Sequence, residues 1–393
     1  MPIVAFDLTP WSTRSRYRGI GTYTIDLARA LAAAPKSELE LRFLVGFAGK
    51  YRLVGSDFDL SADSVIAACG GDQVHGYQPY YLYKQTLMKR FLERSGVDLV
   101  HAPDPKGSRP GRNHKTIVTG HDLIPTVLGP PYRSYPRFVG VAIDRSRYGR
   151  HTHVIAISEW TARDLETVAG VPRRNITVVH HGVNHERFPL EGPRPDGRPY
   201  FFYVGGFDQR KQVVPLIEAF ASIARDVDCR LVLAGKPDPA QRKELDTAIV
   251  RHGVEDSVDI LGFVDSEDLP GWYRGAIAHV LPTLYEGFGL TALEAMSCGC
   301  PVLTLRASCV PEICGDGALY SEPGDWITWS ANMRRVATDP VFRSELVARG
   351  QARAAEFTWV RAATNTLNVY RHVLGLPAVG VAAAGVAAAG VAA

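Results

Sequence analysis

Strand-like and helix-like stretches alternate along nearly the whole chain, and this constrains its fold more than any other feature. Apolar runs of strand length stand at Ile3–Phe6, Leu41–Gly46, Leu99–His101, Thr116–Thr119 and Val154–Ile157. Between them, Thr22–Ala34, Gln85–Arg94 and Ser158–Val168 read as helices. Leu27, Ala30 and Leu31 give the first helix an apolar stripe at helical spacing, and Ser158 is placed to cap the third. The pattern pauses after Ile176–His180. The stretch Phe188–Pro199, with four prolines and two glycines, reads as a linker. The alternation then resumes with strands at Tyr200–Val204, Arg230–Ala234, Val258–Ile260, Ala278–Leu281 and Pro301–Thr304, and a helix over Val214–Ala224. Such a pattern predicts an α/β protein with parallel sheets, here two doubly wound domains. Ligands of such sheets bind beyond the carboxyl ends of the strands, and two sheets facing each other would form a cleft.

The segment Pro282–Met296 carries the sharpest chemical signal. It leaves the apolar run Ala278–Leu281, turns through Gly287 and Gly289, and opens a helix-like stretch. A glycine turn feeding a helix N-terminus presents backbone N–H groups and a positive dipole end, which suits a phosphate. Glu286 and Glu294 flank the turn with seven residues between them. A carboxylate beside a phosphate needs another partner, and sugar or ribose hydroxyls supply one. The segment therefore predicts a site for a nucleotide diphosphate joined to a sugar.

Size and composition set wider bounds. A chain of 393 residues has room for two cores. A net charge of +3 argues against a dedicated nucleic-acid binder while leaving local anion sites open. The six cysteines match no zinc spacing and read as reduced, buried thiols of a cytosolic protein. The N-terminus starts directly as a strand, without the basic and apolar regions of a signal peptide. At the other end, Gly-Val-Ala-Ala-Ala repeats from Gly380, and residues 373–393 carry no charged side chain. Weakly apolar Ala and Gly, interrupted by Pro377, favour a low-complexity tail over 377–393 rather than a membrane anchor.

Several short segments, in order, resemble family 4 glycosyltransferases of the group 1 type. In the second half these are Val204–Lys211, the Glu286…Glu294 block, Gly299-Cys300-Pro301-Val302, Pro311-Glu312 and Gly315-Asp316. In the first half they are Gly19–Tyr23, Thr119–Asp122, Ile157–Glu159 and His181–Asn184, with Phe357-Thr358-Trp359 near the end. The resemblance implies a GT-B fold of two Rossmann-like domains facing a central cleft. It implies an acceptor-binding domain over 1–187, a linker over 188–199 and a nucleotide-sugar donor domain over 200–359. Helices over about 360–376 would pack back on the first domain.

The resemblance also assigns roles. Glu286 is expected to contact donor-sugar hydroxyls, Glu294 the ribose, and Lys211 the diphosphate, with Gly206, Gly287, Phe288, Gly289 and Leu290 lining the donor site. Many relatives carry an arginine five or six positions before that lysine, where this chain has Gly206 and Gly205; Arg210 is the candidate to compensate. Gly19 and Gly21 resemble the family's first-domain glycine loop. His121 is expected near the sugar's hydroxymethyl group, whereas His101, His153, His180 and His181 have weaker claims. Asp122 either orients His121 or joins Tyr23 in binding the acceptor. Ser158 reads as a helix cap that could also face an acceptor or phosphate. Asp57/Asp59 and Asp226/Asp228 look like metal-binding pairs but lie away from the phosphate site and read as loop acids, so no metal and no cofactor is expected.

Together these assignments imply a retaining, metal-independent transfer of a hexose from a nucleotide diphosphate sugar to a hydroxyl. GDP-mannose is favoured by similarity to bacterial mannosyltransferases of polysaccharide assembly. The acceptor would be a glycan, a lipid-linked sugar or a small molecule, bound around Trp11–Tyr23 and the aromatic segment Tyr77–Tyr83. That segment, followed by Lys84, Lys89 and Arg90, could instead be an amphipathic helix entry or a membrane-surface contact, so the location expected is cytoplasmic or peripheral at the inner membrane face. A sugar-nucleotide epimerase of GT-B-like fold and a non-catalytic nucleotide-sugar binder stay open as alternatives.

Overall fold

The structure is a computed structural model describing residues 1–13, 16, 19–35, 38–47, 50–70, 80–105 and 110–378. The tail repeats lie outside these residues, as does the aromatic segment before Tyr80. Seven strands form the first sheet: β1 (Ile3–Asp7), β2 (Glu40–Phe47), β3 (Lys50–Val54), β4 (Leu99–Ala102), β5 (Lys115–Gly120), β6 (His153–Ala156) and β7 (Ile176–Val178). Their order is β3-β2-β1-β4-β5-β6-β7. The second sheet contains β8 (Tyr200–Val204), β9 (Arg230–Ala234), β10 (Val258–Gly262), β11 (Ala278–Leu281), β12 (Val302–Leu305) and β13 (Ala318–Ser321), in the order β10-β9-β8-β11-β12-β13. In both, the order reverses beside the first strand, the switch point at which doubly wound sheets take ligands. Among the described residues, the GT-B fold of two parallel-sheet α/β domains is therefore as expected.

The all-parallel expectation fails at one edge. β3 pairs antiparallel with β2, Phe43 opposite Val54 and Phe47 opposite Lys50. The connection between them is too short for a crossover helix, so only a hairpin is available. The mixed sequence of β3, Lys-Tyr-Arg-Leu-Val, hid it. A second difference concerns Gly19-Ile20-Gly21, which lies in the first turn of the helix Gly19–Ala33 rather than in a loop. A Cβ on Gly21 would stand 2.4 Å from the Arg16 carbonyl oxygen, and the Trp11 indole donates to the Gly21 carbonyl at 3.1 Å. The glycine is needed for that close approach.

By compactness the chain divides into one unit of Met1–Val118, His151–His153 and Val360–Ala393, and another of Thr119–Arg150 and Val154–Trp359. In the first, Ala5, Leu44 and Val100 of adjacent strands pack with Met88 and Leu92 of the helix Tyr80–Arg94. The helix Trp359–Leu374 joins this unit through buried Tyr370, whose hydroxyl lies 2.7 Å from His101 Nδ1. In the second, the sheet is covered on both faces. Phe201, Leu231, Leu233, Val280 and Leu303 face the helices Val213–Ala224 and Trp326–Thr338. Phe202, Val232, Leu281 and Val302 face the helix Leu290–Ser297. A strand buried on both faces reads as a continuous apolar run, which is why Tyr200–Val204 and Ala278–Leu281 were legible without alternation. All six cysteines are buried and free, and burial pushes the thiols of Cys229 and Cys298 up, to about 11 and about 12.

Candidate active site

The second unit gathers its charged groups beyond the carboxyl ends of β8 and β11. After β8 the chain turns through Gly205 and Gly206 into the single 3-10 turn Gln209–Lys211. The Tyr203 hydroxyl donates to the Gly206 carbonyl and closes that turn from below. After β11 it runs through Thr283–Phe288 to Gly289, whose φ of +90° lets it enter the helix Leu290–Ser297. The two loops are tied at the backbone: the Leu284 amide donates to the Arg210 carbonyl at 2.8 Å.

That tie brings Lys211 onto Glu286, whose Oε1 accepts from the lysine Nζ. Arg210 approaches the same carboxylate oxygen at 3.3 Å, reaches Asp208 at 3.1 Å, and donates to the Tyr285 carbonyl at 2.7 Å. Burial alone would raise the Glu286 carboxyl, but Lys211 and Arg210 outweigh it and hold the group below its ordinary range. The Glu286 amide donates to the Ser308 hydroxyl at 2.9 Å, while Cys309 Sγ lies 3.1 Å from the Glu286 carbonyl. Ser308 stands at a φ of +50°, rare for a residue with a side chain. Glu294 lies in the following helix, 9% exposed, with the Tyr273 hydroxyl donating to its Oε2 at 3.3 Å. Glu286 thus faces cations and Glu294 a phenol.

His121 is held against the same loop. A Cβ on Gly287 would stand 1.9 Å from the His121 carbonyl oxygen, so only glycine fits. Thr161 Oγ1 lies 3.4 Å from both the His121 and the Gly287 carbonyls. The His121 ring stands edge-on to that of His181, with centroids 5.8 Å apart, and His181 packs on Phe288 at 4.6 Å. Burial holds His181 well below the ordinary imidazole range, with His121 and His180 adding to the effect. Asp122 accepts from the Ile124 amide at 3.1 Å. Ser158 is fully buried, caps the helix Glu159–Thr167 through the Thr161 amide, and donates to the Gly287 carbonyl at 2.8 Å.

Tyr132 and Asp164 carry no local sequence signal, and the segments that contain Tyr285 and Glu312 did not reveal which partners these residues would meet. Tyr132 accepts from the Arg210 amide and donates to Asp208, both at 2.8 Å. The Tyr285 hydroxyl donates to Asp164, whose carboxyl is raised by burial. Glu312 receives the Glu159 and Trp160 amides at 2.8 and 3.3 Å and pairs with His180 at 2.7 Å. The first amides of that helix are thus taken by a side chain. Gly19, Gly21 and buried Tyr23 belong to the first unit, in the helix Gly19–Ala33. The aspartate pairs read as decoys have local partners: Asp59 accepts from Ser61 and Ser64, and Asp226 pairs with Arg334.

The two doubly wound sheets with this loop pair match the fold of GT-B glycosyltransferases. The family described as Glycosyltransferase Family 4 matches residues 17–187, and that described as Glycosyl transferases group 1 matches residues 185–353. The chain belongs to the family 4, group 1 glycosyltransferases. It is 26% identical over 384 residues to O-antigen chain mannosyltransferase B of Escherichia coli, covering 90% of this chain and 96% of that protein. Sucrose-phosphate synthase of Thermosynechococcus elongatus has the same fold, with a TM-score of 0.75 and 22% identity over 95% of this chain and all of that one. HepE of Anabaena, solved in complex with UDP, matches with a TM-score of 0.69 and 18% identity over 95% of this chain and all of that one.

Proposed function

We propose that the protein transfers a hexose from a nucleotide diphosphate sugar to a hydroxyl with retention of configuration, without a metal. The observation that carries this reading is the cluster of Lys211, Arg210 and Glu286 where the Gly205–Lys211 turn meets the loop before the helix Leu290–Ser297. A departing diphosphate gains a negative charge as its bond to the anomeric carbon breaks, and fixed cations with a helix N-terminus lower the barrier to that departure. Lys211 and Arg210 take this role. Once they turn to phosphate, Glu286 accepts hydrogen bonds from sugar hydroxyls. Glu294 receives the ribose, and Gly206, Gly287, Phe288, Gly289 and Leu290 shape the donor pocket. His121 completes the reaction centre, while Asp122 and Tyr23 belong to the acceptor side.

The acceptor attacks from the face that the diphosphate leaves. The bond from the anomeric carbon to the phosphate oxygen breaks, the bond to the acceptor oxygen forms, and the acceptor proton passes to a departing phosphate oxygen. No dedicated general base is required. Mannose from GDP-mannose is the favoured donor, supported by the likeness to an O-antigen mannosyltransferase. HepE, solved with UDP, makes the uridine donors the first comparison. The acceptor is a glycan, a lipid-linked sugar or a small hydroxyl compound, met in the cytoplasm or at the inner membrane face. Among the described residues, no helix is long and apolar enough to cross a membrane.

The test is thermal protection by GDP-, UDP-, ADP- and dTDP-sugars, followed by product NMR with the protecting donor. One donor should protect by mass action, and its product should keep the donor's anomeric configuration. Lys211→Ala and Glu286→Ala should fold and lose transfer by more than about a hundredfold. Near-normal turnover in either variant would remove that residue from the machinery, and an inverted product would overturn the mechanism. Conversion of the nucleotide sugar without an acceptor would point to an epimerase.

A further inference from the structure

The second unit carries a basic groove at the opposite ends of its strands. Its lining includes Arg194, Arg198, Arg274 and Arg343, with Asp196 as the one carboxylate, around about 570 Å³ of space. Tyr200 opens β8, Ile277 directly precedes β11 and Pro301 directly precedes β12, so the groove lies at the amino ends of these strands. The Lys211–Glu286 cluster lies beyond their carboxyl ends. A five-residue strand separates the two by roughly 16 Å. The groove is therefore a different place from the Lys211–Glu286 cluster.

The four arginines fall into two kinds. Arg274 donates to the Pro189 and Pro193 carbonyls at 3.1 and 2.8 Å, and Arg198 pairs with Asp228. These two fix the wall formed by residues 189–198. The guanidiniums of Arg194 and Arg343 have no hydrogen bond or ion pair among the described residues. Arg194 stands between Pro193 and Pro195, whose rings restrict the backbone that presents it. Arg343 comes from the helix Pro340–Ala355, another element. Two uncommitted guanidiniums on separate, stiff elements, with one exposed carboxylate to oppose them, match an anion that spans both. Each offers the forked donors that suit phosphate oxygens.

We infer that this groove binds a ligand carrying two or more phosphate groups, held by Arg194 and Arg343. The source is either a soluble phosphorylated compound or the headgroups of an anionic lipid, which present the same chemistry.

The probe is tripolyphosphate, titrated calorimetrically at low salt into Lys211→Ala protein so that the donor site is weakened. One saturable site is expected, with affinity that falls steeply as salt rises. Adding Arg194→Ala and Arg343→Ala should weaken it at least about tenfold, the loss of two charge-assisted contacts. The Arg194→Lys/Arg343→Lys pair should restore part of it, because charge survives while the fork is lost. These side chains hold nothing else in place, so the fold should survive and circular dichroism should match the parent. Unchanged binding in the arginine-to-alanine protein, or no saturable binding at about 1 mM, would overturn the proposal. Co-sedimentation with phosphatidylglycerol vesicles but not phosphatidylcholine, lost in the same variant, would name lipid as the source; tripolyphosphate binding without co-sedimentation would name a soluble ligand.

Discussion

Glu286 is the residue on which most of the site's electrostatics converge. Its folded carboxyl sits below the ordinary value of 4.5 because Lys211 and Arg210 overcome the cost of burial. Between that value and the lower folded one, the unfolded chain binds the extra proton. The pair therefore stabilises the protein fully above about pH 4.5, and the contribution fades as pH falls through the folded value. Glu286→Gln should flatten the fall in thermal midpoint below pH 4.5 relative to wild type; parallel curves would show that the cations do not act on this carboxylate. Gly287→Ala tests the contact with His121. Its methyl group would meet the carbonyl oxygen at 1.9 Å, and backbone must move, costing about 3 kcal/mol in urea unfolding. A neutral substitution would mean that the loop has room to shift. Glu286 and Gly287 were legible because they belong to a local pattern of strand, turn and helix, and Lys211 was legible through the family resemblance. Tyr132 was not, because nothing in Pro130-Pro131-Tyr132 indicates that its hydroxyl meets Asp208 and the Arg210 amide.

Among the elements, β11 shows how a buried strand sets a pH limit. His279 lies on it without exposure, its Nδ1 3.0 Å from the Phe202 carbonyl. Burial lowers the imidazole from 6.5 to about 4. The unfolded chain protonates first, so stability is complete above about pH 6.5 and drains away toward pH 4, by at most about 3 kcal/mol. His279→Asn keeps a donor for Phe202 and should lose less stability than wild type between pH 7 and about pH 5, read from urea midpoints. An identical loss in both would place the dependence on other buried imidazoles such as His181. Most elements of the second sheet could be read in advance, since their apolar runs are long and end in glycine or proline. β13 and β3 escaped for different reasons. Ala318-Leu-Tyr-Ser is short and half polar, and Lys50–Val54 alternates charge with bulk at an exposed edge. The helix Arg137–Tyr148 also gave no signal, because its arginines dilute the apolar stripe.

For the whole molecule, two compact units with separate apolar clusters predict more than one calorimetric transition. A nucleoside diphosphate that binds the Lys211 cluster should raise the transition of the second unit, and Lys211→Ala should abolish that shift. A single transition that moves as a whole would mean that the units unfold together. The sequence announced two sheets and a proline-rich break. It did not announce that Thr119–Arg150 and Val154–His180 group compactly with the residues beyond that break, because such grouping rests on contacts between distant residues. The meeting of Gly287 with His121 gives this a practical edge. Anyone building chimaeras by exchanging the second half of the chain with that of a relative would naturally cut at Phe188–Pro199. Such a crossover inherits the two sides of an interlocking joint from different parents. Hybrids that carry residues 119–123 together with 282–296 should be recovered as folded protein more often than those that part them.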